Sequence, residues 1–138
     1  MKYATLDILA CPMCKYFPLK LYTFKERATI KVDVSKKPFC NTFCGLQNMN
    51  VRDIDRDIID CNSCLSRDVM WGILICRGCG RWYPIVDGVA LLYPDDIRLY
   101  TRISAVEKFF IKRFGDRFPK EALNNDPLKL LRGVSNTL

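Results

Sequence analysis

The chain has 138 residues and not one histidine. That absence excludes acid/base chemistry by imidazole and the mixed Cys/His ligand sets of many small zinc modules. No apolar run approaches the ~20 residues that a membrane helix needs, so no membrane is expected. The opening "MKYATLDILACP" has a short apolar patch interrupted by Asp7, which does not read as a secretory signal. There is no internal repeat, no low-complexity segment and no glycine-rich cofactor loop. The expectation is a soluble cytoplasmic protein of one domain with an appendage.

Acidic residues are also in the minority, 15 against 22 Lys and Arg, for a formal charge of +7. A basic balance draws a protein toward nucleic acid or an acidic partner. The figure counts cysteine as neutral, however. A zinc ion held by four thiolates carries a net −2, so two such sites would leave about +3. Charge is a weak argument for direct RNA binding.

What is present is cysteine, eight of them, in four close pairs: Cys11/Cys14, Cys40/Cys44, Cys61/Cys64 and Cys76/Cys79. Such clips suit metal better than a disulfide scaffold. The strongest set is Cys11, Cys14, Cys76 and Cys79. Two C-x-x-C clips supply the four tetrahedral ligands zinc prefers and leave no open position, so the site is expected to be structural. The 61 residues between Cys14 and Cys76 are no obstacle, because closure entropy rises slowly with loop length. The competing readings are disulfides of a thermophile's cytosol and a C-x-x-C redox motif.

Cys40, Cys44, Cys61 and Cys64 form a second candidate set, with sixteen residues between the clips. Apart from Gly45 it lacks the glycines of a knuckle. A second zinc and one or two disulfides both remain open for these four.

The rest of the chain reads as an α+β fold: a small, zinc-ribbon-like antiparallel β domain with a cysteine-containing insertion and a C-terminal helical extension. Residues 1–24 and 70–96 make the ribbon, 25–69 the insertion and 97–138 the extension. A strand or extended lead-in precedes the first clip, and Leu19, Leu21 and Phe24 suggest a short strand after it. Ile30, Val32 and Val34 alternate with charged neighbours, the period of a half-buried strand. "VMWGILIC", residues 69–76, is a strong apolar strand entering the last clip. Residues 81–93 read as a hairpin turning at Asp87-Gly88. Ser104 and Glu107 have capping-box spacing, and Ile103, Val106, Phe110 and Phe114 recur at helical intervals up to Gly115 and Pro119. A second short helix is expected from Pro127 to Arg132, capped by Asp126 and stopped by Gly133.

Two segments resemble a known family. "MKYATLDILACPMCKYFPLKLY" carries Leu-x-Cys-Pro-x-Cys and Phe-Pro-Leu-Lys-Leu, and "GILICRGCGRWYPIVDGVALLYPDD" carries Cys-x-x-Cys-Gly-Arg-x-Tyr-Pro-Ile-x-x-Gly. Together they resemble the small zinc-ribbon activator subunit of tRNA methyltransferases (the tRNA methyltransferase subunit 112 family), of archaeal type. The chain departs from the family after Gly88, where Val89, Ala90, Leu91, Leu92 and Tyr93 replace its Ile-Pro, Asn-like and Met-Leu run. The middle segment, helical in eukaryotic members, instead carries four cysteines.

The resemblance implies a non-catalytic subunit that forms heterodimers with S-adenosylmethionine-dependent methyltransferases. Their substrates are tRNA, rRNA or a translation termination factor. RNA would be met through the partner, and S-adenosylmethionine would sit only in the partner. It also implies docking by strand addition to the enzyme's sheet. The residues fit that physics independently. Val89 to Tyr93 is apolar on both faces, and an open edge of that kind is a liability unless covered. The expected contact set is Ile8, Leu9, Pro84, Ile85, Val89, Ala90, Leu91, Leu92 and Tyr93. The bland alternative is that the C-terminal aromatic helix, with Phe109, Phe110, Phe114 and Phe118, covers the same strand.

Rival functions are fewer. A stand-alone nucleic-acid-binding zinc ribbon would use Lys15, Tyr16, Lys20, Arg77, Arg81, Trp82, Lys108, Lys112, Arg113 and Arg117 to track phosphates and stack bases. A redox or metal-handling protein would use the clips as dithiols. Catalysis by the carboxylates Asp53, Asp55, Asp57 and Asp60 is the least supported, since charged loops of this kind are ordinarily solvated surface.

Overall fold

A computed structural model describes residues 1–130 of the chain. Four strands build the main sheet: β1 (Lys20–Ala28), β4 (Arg67–Ile75), β5 (Trp82–Val86) and β6 (Val89–Ala90). They are antiparallel throughout, in the order β1-β4-β5-β6. Between β1 and β4 lie a two-residue hairpin, β2 (Phe43–Cys44) with β3 (Met49–Asn50), and one short helix, α1 (Cys61–Leu65). After β6 come α2 (Asp95–Arg98), α3 (Thr101–Phe114) and α4 (Lys120–Asn124). The mixed α+β class expected from the sequence is the class observed.

The sheet is covered on both faces. On one face Leu19, Val69, Leu74, Tyr83 and Ile85 pack with Tyr3 and Leu6, which come from a 3-10 turn over Tyr3–Ile8, and with Phe43 of the insertion. On the other, Ile73, Ile75 and Trp82 pack with Phe110, Phe118 and Ala122 of the C-terminal helices. Phe24 and Trp71 complete this aromatic layer, with Phe24 stacked 5.4 Å from Phe114 and Trp71 5.5 Å from the same ring. Aromatic burial of this kind adds offset-stacking energy to the area term. The β1–β4 ladder shifts register on either side of Lys25. The shift brings Glu26 to the face of Thr23, so that the Tyr3 hydroxyl meets both side chains.

Several local expectations are corrected. The lead-in to the first clip is a 3-10 turn, not a strand. β1 ends at Ala28, and Ile30 is 87% exposed. Residues 30–34 form no strand: the Val32 and Val34 amides donate to the Ser66 and Asn62 side chains at 2.9 and 2.7 Å. Alternation alone cannot tell these two situations apart. Helix α3 begins at Thr101, three residues before the expected Ser104 cap. Glu107 is no capping-box partner: it is buried, and accepts a 2.8 Å bond from Arg98 Nε. Arg98 is buried too and donates to the Trp82 carbonyl at 2.6 Å. The stop at Gly115 is where it was expected. Of the expected Pro127–Arg132 helix, residues 127–130 form a turn, begun by a 3.0 Å bond from the Leu128 amide to Asp126 Oδ1. Leu131, Arg132 and Gly133 lie outside the described residues.

Candidate functional site

Each outer clip is closed by its own backbone. In the first, the Cys11 amide donates to the Tyr16 carbonyl at 3.0 Å and the Lys15 amide to the Cys11 carbonyl at 2.9 Å. In the second, Cys76 donates to Arg81 at 2.8 Å and Gly80 to Cys76 at 2.9 Å. The two loops are thus the same knuckle built twice. In both, the residue after the second cysteine has a left-handed backbone, Lys15 at φ 67° and Gly80 at φ 79°. The pairing of β1 with β4, Lys20 opposite Ile75, sets the knuckles side by side.

As a result the four sulfurs of Cys11, Cys14, Cys76 and Cys79 all lie within 4.8 Å of one another. Cys11 Sγ is 3.7 Å from Cys79 Sγ, and Cys14 Sγ is 3.4 Å from Cys76 Sγ. Four thiolates around zinc at ~2.3 Å would stand about 3.8 Å apart. The donor set therefore fits the ion in both chemistry and spacing. Burial works against ionising Cys11, but the Tyr83 hydroxyl, 3.2 Å away, and the Cys14 and Met13 amides outweigh it and bring the thiol down to about 6. Cys76 is pushed up to about 12, chiefly by burial. Sequence reasoning missed Tyr83 as a neighbour of the cluster. Its only signal was its place two residues past Arg81 on a strand leaving the knuckle.

Arg81 clamps the knuckle to the next segment, donating from Nε and Nη2 to the two oxygens of Asp95 at 2.9 and 2.6 Å. This forked pair raises the guanidinium above its ordinary value. Trp82 is fully buried and donates from Nε1 to Asp126 at 3.0 Å. Arg81 and Trp82, expected on an RNA-stacking surface, are therefore occupied inside the fold. Lys15, Tyr16, Arg77, Lys108, Lys112, Arg113 and Arg117 are exposed.

Residues 2–88 match the Trm112p-like protein family. The chain belongs to that family. Trm112p-like proteins are methyltransferase activators. No curated protein matches the chain. The Trm112p-like match covers both knuckles, the insertion and the hairpin turn, and stops where the chain begins to depart from the family's pattern.

At that turn Asp87 and Gly88 both take positive φ, 49° and 85°, the geometry of a tight two-residue hairpin. It delivers β6 to the edge of the sheet. The Leu91 amide still reaches the Pro84 carbonyl at 2.9 Å. Ala90 and Leu92 lean on the same cluster as Leu9. Val89 is 59% exposed and Ile8 81%. Pro84 and Ile85 are fully buried within the chain, so they support the edge from behind. The C-terminal helices pack against Val86 and cover β1, β4 and β5.

The middle cysteines are all unbridged. Cys44, Cys61 and Cys64 are buried and Cys40 half-buried. Burial first, then neighbouring charges that include the other sulfurs of the set, push Cys40 up to about 12 and Cys64 up to about 11.

Proposed function

We propose that the chain is a non-catalytic activating subunit that completes the sheet of an S-adenosylmethionine-dependent methyltransferase acting on tRNA, rRNA or a translation termination factor. The observation that carries this is the edge strand. Both faces of the sheet are covered, yet β6 stands at its border with Val89 exposed, followed by half-buried Leu91, Leu92 and Tyr93; Leu9 packs on the same cluster as Ala90 and Leu92, and the exposed Ile8 precedes it in the chain. Such a border fits strand addition, in which main-chain bonds give affinity and flanking apolar side chains give specificity.

Zinc at Cys11, Cys14, Cys76 and Cys79 would hold the two knuckles together and fix the angle of β6. A closed thiolate site supplies no reactive position, and S-adenosylmethionine would be bound by the partner. RNA would be reached through the partner, in the cytoplasm. In this reading the ribbon comprises residues 1–28 and 67–96, since β1 and β4 extend slightly past the boundaries expected from sequence. The insertion and the helical extension cover its two faces.

One observation favours RNA contact by the chain itself: an open groove of about 390 Å³ lined by Phe24, Lys25, Trp71, Phe109, Arg113 and Arg117. Basic and aromatic groups together suit single-stranded nucleic acid. Salt-sensitive RNA binding by the isolated chain would support this second reading.

The test of the first is reconstitution. The tagged chain should retain a methyltransferase from its native lysate, and that enzyme should transfer methyl groups when the chain is present and lose activity when it is stripped away. An enzyme equally active and equally stable alone would overturn the proposal.

A further inference from the structure

Residues 29–66 leave the sheet and return to it with little regular structure: the β2–β3 hairpin, a 3-10 turn over Val51–Asp53 and the single turn and a half of α1. Their apolar burial is thin. Phe43 and Ile59 are inside, whereas Ile30, Phe39, Met49 and Ile58 are exposed. A segment so poor in core ordinarily needs a cross-link or a metal to hold one shape.

The segment does bring sulfur together. Cys40 lies just before β2, Cys44 ends β2, and Cys61 and Cys64 sit three apart on α1, a spacing that puts them on one side of the helix. All four line a single apolar cavity of about 10 Å³, walled by Phe39, Leu46 and Ile59. None is in a disulfide. The Phe39 amide points at Cys61 Sγ from 3.5 Å.

The surroundings hold the two halves of the cluster in place. Asp7 accepts from the amides of Asn41, Thr42 and Phe43 at 2.8, 2.9 and 2.7 Å. Gly45 is pressed against the Tyr3 carbonyl, where no Cβ would fit. Asp60 caps α1 at the Ser63 amide.

We propose that Cys40, Cys44, Cys61 and Cys64 bind a second structural zinc ion, in the cavity they share. Among the described residues the outer quartet alone brings three or more ligand atoms within 4.8 Å of one another, so no three of the inner sulfurs yet stand that close. The inner quartet is therefore a wider cage, and the ion draws its sulfurs toward the ~3.8 Å spacing of a zinc tetrathiolate. Soft thiolate donors without imidazole or open positions select zinc over the hard divalent ions. The ion ties hairpin to helix and does for the insertion what apolar burial does for the sheet. Nothing in this depends on which enzyme the chain docks to.

The experiment is native mass spectrometry with metal quantitation on the full chain, purified under reducing conditions without chelator. The expected result is two zinc ions per chain, each displacing thiol protons as it binds, and, once acid has released the metal, the mass of the fully reduced chain. Cys40→Ser with Cys61→Ser should lower the count to one and leave enzyme capture intact. Cysteine alkylation mapped by peptide mass needs no variant: Cys40, Cys44, Cys61 and Cys64 should resist the reagent until a chelator is added. One zinc per chain, or a metal-free mass lower than the fully reduced chain by the two or four hydrogens of one or two disulfides, would overturn the proposal. So would two ions that both survive the double substitution.

Discussion

Lys15 and Gly80 occupy equivalent places in the two knuckles, with nearly the same left-handed backbone and very different side chains. A non-glycine residue in that region is disfavoured by roughly 1–2 kcal/mol. Lys15→Gly should therefore stabilise the protein by about 1 kcal/mol and slow zinc loss to a chelator. Gly80→Ala should do the reverse, costing about 2 kcal/mol, because its Cβ would also run into the Asn125 carbonyl. Denaturant titration of the two variants checks both signs. Asp7 is a second residue whose role is local and measurable. Burial alone would raise its pKa, but the Asn41, Phe43 and Thr42 amides outweigh it and hold the carboxyl below its ordinary 3.8. Its contribution is thus fully present above that ordinary value and lost as pH falls through the lower folded one. Asp7→Asn should be less stable near neutrality and should show a flatter acid limb than the parent. The knuckle cysteines were legible in the sequence because ligand spacing is a local property. Asp7 was not, because its donors lie more than thirty residues away.

At the scale of elements, the C-terminal extension packs chiefly through α3. Phe110 is almost fully buried and touches Phe24, Trp71, Trp82, Phe114 and Phe118. Phe110→Ala should cost about 4 kcal/mol in denaturant unfolding, whereas Phe109→Ala, on the exposed side, should cost little. The helical period foretold Phe110 and Phe114 on this face, but Val106, expected with them, is exposed. It did not foretell the helix start, because Ser104 and Glu107 fit a local capping rule that the buried Arg98 overrides: a buried guanidinium without a carboxylate would be far more costly than a weaker cap. The apolar strand β4 and the Asp87-Gly88 hairpin were legible because pattern and turn chemistry agree there. The strand read across Ile30, Val32 and Val34 was not realised, since its amides find side-chain acceptors in the loop before β4.

For the whole molecule, the arrangement of covers is what carries the functional reading. The insertion and the N-terminal turn seal one face of the sheet, and the C-terminal helices seal the other. The sequence left open whether the aromatic helix or another protein covers the β6 edge. The folded chain puts the helix against β1, β4 and β5, and leaves Val89 bare at the border. The sulfurs of Cys11, Cys14, Cys76 and Cys79 come within 4.8 Å of one another, beside the Tyr83 hydroxyl of β5. The most direct measurement is enzyme capture by the parent chain and by Val89→Lys, side by side, with zinc content and unfolding midpoint recorded for each. Val89 is exposed in the free chain, so the substitution should leave folding and metal unchanged. The parent should retain a methyltransferase, and Val89→Lys should lose at least tenfold in affinity, about 1.4 kcal/mol or more. Equal capture by both chains would contradict this.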